Sequence, residues 1–363
     1  MGFEQVRSPQ QESVCPHGND PSRCSRCAWE RRVEDQPALK AAGSLMEKSR
    51  FKRSTVESSN CELEIGEKKY AIELLDRSDH PDLAQVQTLF EQEFGEEEVD
   101  PEEVLRSAVE GRTPWGTKDL PYRVYALKDS EGRVLSALTG GLLDMRNADG
   151  DPTGETVFMV GYALTPEESR GKGFAREAYI SALIGATAEA EEAGKKLSFA
   201  AGECTPNSER FWNNVGWKRV YAAESPGETK SYNELRYVQP ALDFDTATGE
   251  VAEGAGESPE HLMIDSFNRM PPNKEQILET VQEFYRWCNL ATYPREAFAS
   301  DEAYQRQIAY VKTFQDRFQD ELASSGQLIY LDQKSRSKAT EKGVVIREYE
   351  EADHKEKSGE ENF

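Results

Sequence analysis

The chain has 363 residues with 44 basic and 67 acidic side chains, which gives a formal net charge of −23 at pH 7. Contact along a nucleic-acid backbone needs a dense basic surface, so this charge argues against nucleic acid and favours a cationic or amine-bearing partner. No apolar run has the length of a membrane span, and the first ten residues lack the apolar centre of a signal peptide, so we expect a cytoplasmic protein without a membrane partner.

The first 66 residues are polar and irregular, and we expect them to form a flexible arm. The arm carries four candidate zinc ligands within thirteen residues, namely Cys15, His17, Cys24 and Cys27. Four such ligands suffice for a closed tetrahedral site, so the cluster predicts a structural zinc ion. The alternative is a set of cysteines without metal in a flexible segment.

Apolar periodicity begins near Lys68 and predicts strands alternating with helices. Strands are expected at 68–75, as a pair within 122–145, and at 156–164, 196–203, 217–223 and 231–244. Helices are expected at 81–95, at 100–111, from the stretch 169–179 to Gly194, and at 208–216.

The composition changes after residue 244, where a stretch rich in Gly, Glu and Thr is typical of a linker. Two amphipathic helices at 273–291 and 301–326 and an edge strand at 327–331 follow, and the rest is rich in Lys and Glu. The predicted parts are an arm at 1–66, an α/β domain at 67–244, a linker at 245–260, a helical appendage at 261–332 and a disordered tail at 333–363.

Small and basic residues cluster where the strand 156–164 leads into the long helix. Gly171 and Gly173 let an anion approach the backbone, Ala175 keeps the first turn slim, and Arg170 and Lys172 add positive charge. Free N–H groups at a helix start bind phosphates, so the pattern predicts a pyrophosphate site. The stretch has neither Gly-Lys-Ser/Thr of a nucleoside triphosphate loop nor G-x-G-x-x-G of a dinucleotide site.

The motif R-x-x-G-x-A at 170–175, together with NSERFWNNVGW at 207–217, resembles the GNAT (Gcn5-related) N-acetyltransferases. The resemblance covers roughly half of the chain and implies a mixed central sheet with flanking helices. It also implies acetyl-CoA as the acyl donor and a small-molecule or peptide amine as the acceptor.

The resemblance assigns roles to individual residues. The strand backbone before residues 170–175, called the Gly turn below, would pair with the pantetheine arm, and the amides of the Gly turn would bind the pyrophosphate. The helix predicted at 208–216 would lie on the far side of the cofactor. These cofactor-binding residues are Tyr162, Ala163 and Leu164 for the arm, Arg170, Gly171, Lys172, Gly173, Phe174 and Ala175 for the pyrophosphate, and Asn207 and Trp212 for the far side.

The candidate catalytic residues are Glu203 and Tyr221. Glu203 ends a strand that in this family borders the acceptor cleft, where a carboxylate accepts a proton from an amine; the alternative is a salt-bridged surface glutamate. Trp212 stands where many members have a proton-donating Tyr, and an indole is not an acid at neutral pH. Tyr221 is one substitute donor, with Tyr232 and Tyr162 as others.

Two other functions remain open at the level of the sequence. One is a non-catalytic acyl-CoA-binding adaptor, suggested by Trp212 at the position of the acid. The other is a zinc-dependent protein or nucleic-acid binder for which the transferase fold is only a scaffold.

Overall fold

The computed structural model describes Trp29 and residues 32–95, 99–114, 122–147, 150–205, 207–224 and 231–348. The strands are β1 (Lys52–Arg53), β2 (Cys61–Ile65), β3 (Lys68–Leu75), β4 (Arg123–Asp129), β5 (Val134–Arg146), β6 (Pro152–Leu164), β7 (Lys196–Cys204), β8 (Lys218–Ala223), β9 (Ser231–Glu234), β10 (Tyr237–Gln239), β11 (Ser258–Asp265), β12 (Leu328–Leu331) and β13 (Val345–Arg347). The helices are α1 (Pro37–Glu47), α2 (Asp82–Phe94), α3 (Glu102–Ala108), α4 (Phe174–Glu192), α5 (Glu209–Val215), α6 (Lys274–Tyr285), α7 (Asp301–Ser324) and α8 (Gln333–Glu341). In these parts of the chain, no helix combines the length and the apolar composition needed to cross a membrane.

The strands form one mixed sheet. Its order is β1 to β7 as in the chain, followed by β11, β8, β9 and β13, while β10 pairs with β11 and β12 pairs with β8. Neighbouring strands are antiparallel except for β6 with β7 and β9 with β13, which are parallel. The predicted mixed sheet with flanking helices is confirmed.

Helices cover both faces of this sheet, and each face has its own apolar core. Helices α2, α3, α6 and α7 pack on one face, to which they contribute Phe90, Val281 and Phe314. Helices α1, α4 and α5 pack on the other face, to which they contribute Leu39 and Tyr179. The first face is called the α6 face below, and the second the α4 face.

Strand β11 lies inside the sheet although the sequence suggested a linker that ends at residue 260. Leu262 lies opposite Glu203 of β7, and Met263 lies opposite Arg219 of β8. Leu262 is buried on the α6 face and Met263 on the α4 face, so no alternation of buried and exposed residues marks this part of the strand. Helices α6 and α7 therefore pack on the same sheet as the rest of the chain, instead of forming a separate appendage.

Part of the expected flexible arm is folded. Helix α1 begins with Pro37, whose fixed φ suits a first helical position, and its apolar residues recur at helical spacing. Leu39 and Leu45 are buried against the α4 face, and β1 and β2 extend the sheet at its edge. The arm looked irregular because α1 has only 11 residues, so that its order depends on packing against α4.

The first part of the expected disordered tail is folded as well. Helix α8 buries Arg336, whose guanidinium lies 2.7 Å from a Glu209 carboxylate oxygen. Strand β13 pairs in parallel with β9. A charged segment without apolar periodicity is ordered here because distant residues supply its ion-pair partners, which the sequence pattern does not reveal.

A buried ion pair fixes the segment after α1 to the start of α4. Arg53 and Glu177 are 3.0 Å apart, and their side chains are 3% and 1% exposed. Arg53→Ala is therefore expected to lower the free energy of unfolding by about 3–5 kcal/mol, because it leaves a buried carboxylate without its cationic partner. Urea denaturation measures this change. Arg32→Ala is the control: Arg32 pairs with Glu191 at the surface, so it should cost less than about 1 kcal/mol, and equal losses would contradict the prediction.

Candidate functional site

The parallel strands β6 and β7 separate before they end. Their paired residues run as far as Val160 opposite Gly202, but β6 continues to Leu164 and β7 to Cys204. Beyond that point β6 stays paired with β5 and β7 stays paired with β11. A cleft therefore opens between the carboxyl ends of two adjacent parallel strands, and residues 161–163 are partly exposed after five buried residues.

Two local features determine where β6 and β7 diverge. The pairing of β5 with β6 shifts between Leu138 and Gly140, and the Tyr162 amide donates to Thr139 Oγ1 at 2.8 Å. Such a bulge bends a strand and increases its twist. At Gly202 a Cβ atom would lie 3.1 Å from the Val160 carbonyl oxygen, so a small residue allows the strands to meet closely just before they part.

The Gly turn follows β6 at the mouth of the cleft. A 3-10 turn at Glu167–Ser169 leads to Gly171 and Gly173, whose φ angles are +73° and +92°. Gly173 is the N-cap of α4 and has no side-chain cap, so the first amides of α4 have no acceptor within the helix. A Cβ atom on Gly171 would have no heavy atom within 4 Å, which leaves the backbone open to an anion.

The side chains of the Gly turn contribute less to the candidate anion site than its backbone does. Arg170 lies 2.5 Å from Glu93 of α2, and Lys172 donates to the Glu168 carbonyl at 2.7 Å. Phe174 is buried and packs on other aromatic rings, and Ala175 is partly exposed. The structure thus brings the six predicted pyrophosphate residues into one turn, with their amides at the start of α4.

Glu203 lies at the divergence and points to the α6 face. Its neighbour Cys204 contacts Met263 on the α4 face, and successive side chains of a strand alternate between faces. The Tyr237 hydroxyl donates a hydrogen bond to Glu203 Oε1, and the Tyr237 ring stacks on Tyr285. Burial raises the pKa of Glu203 to about 8 despite that hydrogen bond, and the negative charge of Glu260 adds to the rise.

Two further groups near the cleft were missed in the sequence. Burial raises the pKa of Asp100, just ahead of α3, to about 6. Burial also raises the pKa of the Cys288 thiol, and the negative charges of Glu203 and Asp100 raise it further. Cys288 lies in a π-helical turn after α6, and only the docking of that helix onto the sheet reveals its position.

Tyr221 and Trp212 lie away from the cleft, contrary to the predicted roles. Tyr221 shares the α4 face with Arg219, opposite to Glu203, and its hydroxyl accepts from Arg336 at 2.9 Å. Tyr221 is separated from Glu203 because β11 lies between β8 and β7 in the sheet. Trp212 is 4% exposed and packs between Tyr179 and Trp217 in the core of the α4 face, so it is not available to a cofactor. Asn207 is exposed beyond the end of β7.

The predicted zinc ligands Cys15, His17, Cys24 and Cys27 lie outside the described residues, so that zinc site stays a prediction. Among the described residues, Glu73, His80 and Asp82 form a group with metal-ligand chemistry. The Lys128 ammonium lies 2.6 Å from an oxygen of each carboxylate and offsets part of their charge. An ammonium in that position argues against a metal ion there.

No protein-family model matches the chain, and no curated protein matches it. The chain is similar to the ribosomal-protein-S18-alanine N-acetyltransferase from Escherichia coli, with 11% identity over 56% of this chain and 97% of that one and a TM-score of 0.31. It is also similar to Arabidopsis thaliana NAA60 in complex with acetyl-CoA, with 10% identity over 53% and 97% of the two chains and a TM-score of 0.33.

A third similar structure is described as a GCN5-related glucosamine N-acetyltransferase region of a fungal multi-domain GH3 beta-N-acetylglucosaminidase. The identity is 12%, the TM-score is 0.30, and the match covers 44% of this chain but only 18% of the fungal one.

Proposed function

We propose that the chain is an N-acyltransferase that moves an acetyl or related acyl group from CoA to an amine by direct transfer. The observation that carries the proposal is the cleft between β6 and β7, which opens beside the Gly turn and the start of α4. An acyl-CoA has the two corresponding parts, a narrow arm with amide groups and a pyrophosphate. The first part suits the edge of a separated strand, and the second suits the N-terminus of a helix.

The residues of the cleft fit such a molecule. The backbone of Tyr162, Ala163 and Leu164 borders the gap on the side where β6 no longer pairs with β7. The positive φ angles of Gly171 and Gly173 shape the turn whose amides would hold the pyrophosphate. The bound acyl-CoA would supply the thioester, and the cleft would hold it beside the amine so that attack is direct.

Glu203 would accept the proton of the acceptor. An alkylammonium is mostly protonated at neutral pH, and only the free amine attacks a thioester. A carboxyl group with a pKa of about 8 is a much stronger base than an ordinary glutamate, and a base works best when its pKa lies near the working pH. The position of Glu203 at the divergence supports this role, since both strand ends border the same gap.

The tyrosine that contacts Glu203 is Tyr237 and not Tyr221, which was predicted as a proton donor. Tyr237 donates to Glu203, whereas Tyr221 lies on the other face of the sheet. Tyr237→Phe removes a hydrogen bond that stabilises the carboxylate, so the limb of the kcat profile that reports Glu203 should move to higher pH, with roughly a ten-fold loss of kcat at pH 7. Tyr221→Phe is the control and should leave the pH profile of kcat unchanged. An unchanged profile for Tyr237→Phe would contradict the coupling.

The proposed function is tested with the purified full chain, acetyl-CoA and a panel of small amines and peptides. The expected result is binding of CoA in calorimetry and thiol release that depends on the amine. Binding without turnover for any amine would favour the adaptor function. Failure to bind CoA would overturn the proposal.

A further inference from the structure

A cavity of 240 Å³ lies against the Gly turn and is bordered by the segment that follows α1. Its lining residues are Lys48, Ser49, Arg50, Phe51, Gly171, Gly173, Arg176 and Glu177. Half of them belong to the N-terminal segment and half to the turn and the first turn of α4. The N-terminal segment is thus part of the surroundings of the predicted pyrophosphate site.

The cavity carries positive charge without matching carboxylates. Arg50 Nη2 donates to the Gly171 carbonyl at 3.2 Å, and Arg176 Nη1 donates to the Lys48 carbonyl at 3.1 Å. Both bonds go to neutral oxygens, and Arg176 Nε is buried without a hydrogen-bond partner within the described parts of the chain. Glu177 also lines the cavity, but Arg53 at 3.0 Å balances its charge.

This charge stands out in a chain that has 67 acidic and 44 basic residues. Many described arginines pair with a carboxylate, as Arg170 does with Glu93. A second cavity of 570 Å³ on another side of the turn is lined by four acidic and four basic residues, so its charges balance. The smaller cavity has three basic residues, one neutralised acid and the amides of a helix start, which is a chemistry that selects a phosphate.

We infer that Lys48 and Arg50, together with Arg176, form a phosphate subsite that clamps the nucleotide end of CoA against the Gly turn. This inference rests on the proposed function and adds to it a contribution from a segment outside the predicted transferase domain. CoA carries phosphate both in its pyrophosphate and on its ribose, and both have the chemistry that this cavity selects. Because Lys48 and Arg50 are exposed, their removal changes the charge of the site more than the packing of the protein.

The test is a Lys48→Gln, Arg50→Gln double variant of the full chain, titrated by calorimetry with CoA and with dephospho-CoA, which lacks the ribose phosphate. The Kd for CoA is expected to rise roughly five- to thirty-fold, since two exposed cations contribute about 1–2 kcal/mol. A loss with CoA alone assigns the subsite to the ribose phosphate, and equal losses with both probes assign it to the pyrophosphate. The matched control, Lys40→Gln with Lys196→Gln, removes the same charge from exposed positions away from the cavity and should bind as the wild type does.

The outcomes separate this inference from the proposed function. If the wild type binds CoA and the double variant binds it equally well, the phosphate subsite is overturned and the transferase proposal stands. If the wild type binds no CoA, both are overturned. An equal loss in the double variant and in the control would show a non-specific effect of charge and would also overturn the subsite.

Discussion

Gly173→Glu is expected to abolish CoA binding, with a rise in Kd of roughly a hundred-fold or more. Gly173 is the N-cap of α4 with φ at +92°, and its backbone lies where the pyrophosphate would meet the helix start. A glutamate side chain would fill that space and place a negative charge in it. Loss of two charge-assisted hydrogen bonds, at about 1.5 kcal/mol each, corresponds to this change in Kd. Calorimetry measures the affinity, and circular dichroism checks that the helix content is unchanged.

Gly194→Glu is the matched control for this variant. Gly194 lies beyond the other end of α4 with φ at +68°, so a glutamate there has the same backbone strain of about 1–2 kcal/mol without approaching the cleft. It should bind CoA as the wild type does. If both variants lost CoA binding to the same degree, the loss would reflect the strain on α4, and the pyrophosphate site at Gly173 would be refuted.

Glu203→Gln is expected to lower kcat by roughly ten- to a thousand-fold, at or below the usual range for general-base catalysis. The difference from wild type should be largest between the pKa of Glu203, about 8, and that of an alkylammonium, about 10.4. In that interval the carboxylate is ionised while the amine still has a proton to give up. Stopped-flow or steady-state kinetics across pH 6–10 would show this maximum.

Glu155→Gln is the control in the same strand system. Glu155 lies in the first part of β6, at the opposite end from the divergence, and accepts a hydrogen bond from Gln276 at 3.3 Å. Its replacement should leave kcat unchanged at every pH. Full activity of the Glu203→Gln protein between pH 8 and 9 would remove Glu203 as the base and direct attention to Asp100.

The raised pKa of Glu203 also has a consequence for stability. A carboxyl group that titrates near pH 8 in the folded chain and near 4.3 when unfolded binds more protons in the folded state between these values. Its contribution is therefore fully present below about pH 4 and is lost as the pH rises through about 8. As the pH rises from 6 to 9, the free energy of unfolding, measured by urea denaturation, should fall less for the Glu203→Gln protein than for wild type. Equal decreases would show that the pKa of Glu203 is not raised.

The predicted elements nearest to the site agree best with the structure. Strand β7 and helix α4 were predicted with their ends close to those observed, because a buried strand and a long helix that ends at Gly194 have distinct patterns. The Gly turn was predicted for the same reason, since Gly171 and Gly173 are needed where φ is positive. Local sequence therefore located the candidate anion site.

Other elements depended on partners far away in the chain. Strand β11 is buried on both faces, and its three apolar residues are too few to distinguish a strand from a helix. Helix α8 carries charged residues that are ordered only because Arg336 meets Glu209 and Tyr221. For this reason, the folded part of the chain extends beyond the predicted boundaries of the arm and the tail.

By itself, the sequence determined the turn that could bind a pyrophosphate and strand β7, which carries Glu203, because both depend on the conformational needs of neighbouring residues. Only the tertiary structure decided which side chains surround that carboxylate. Strand β11 lies between β7 and β8 and so separates Tyr221 from Glu203, whereas the pairing of β10 with β11 brings Tyr237 into contact with Glu203. Strand order and the face of each side chain follow from long-range pairing, which local sequence does not specify.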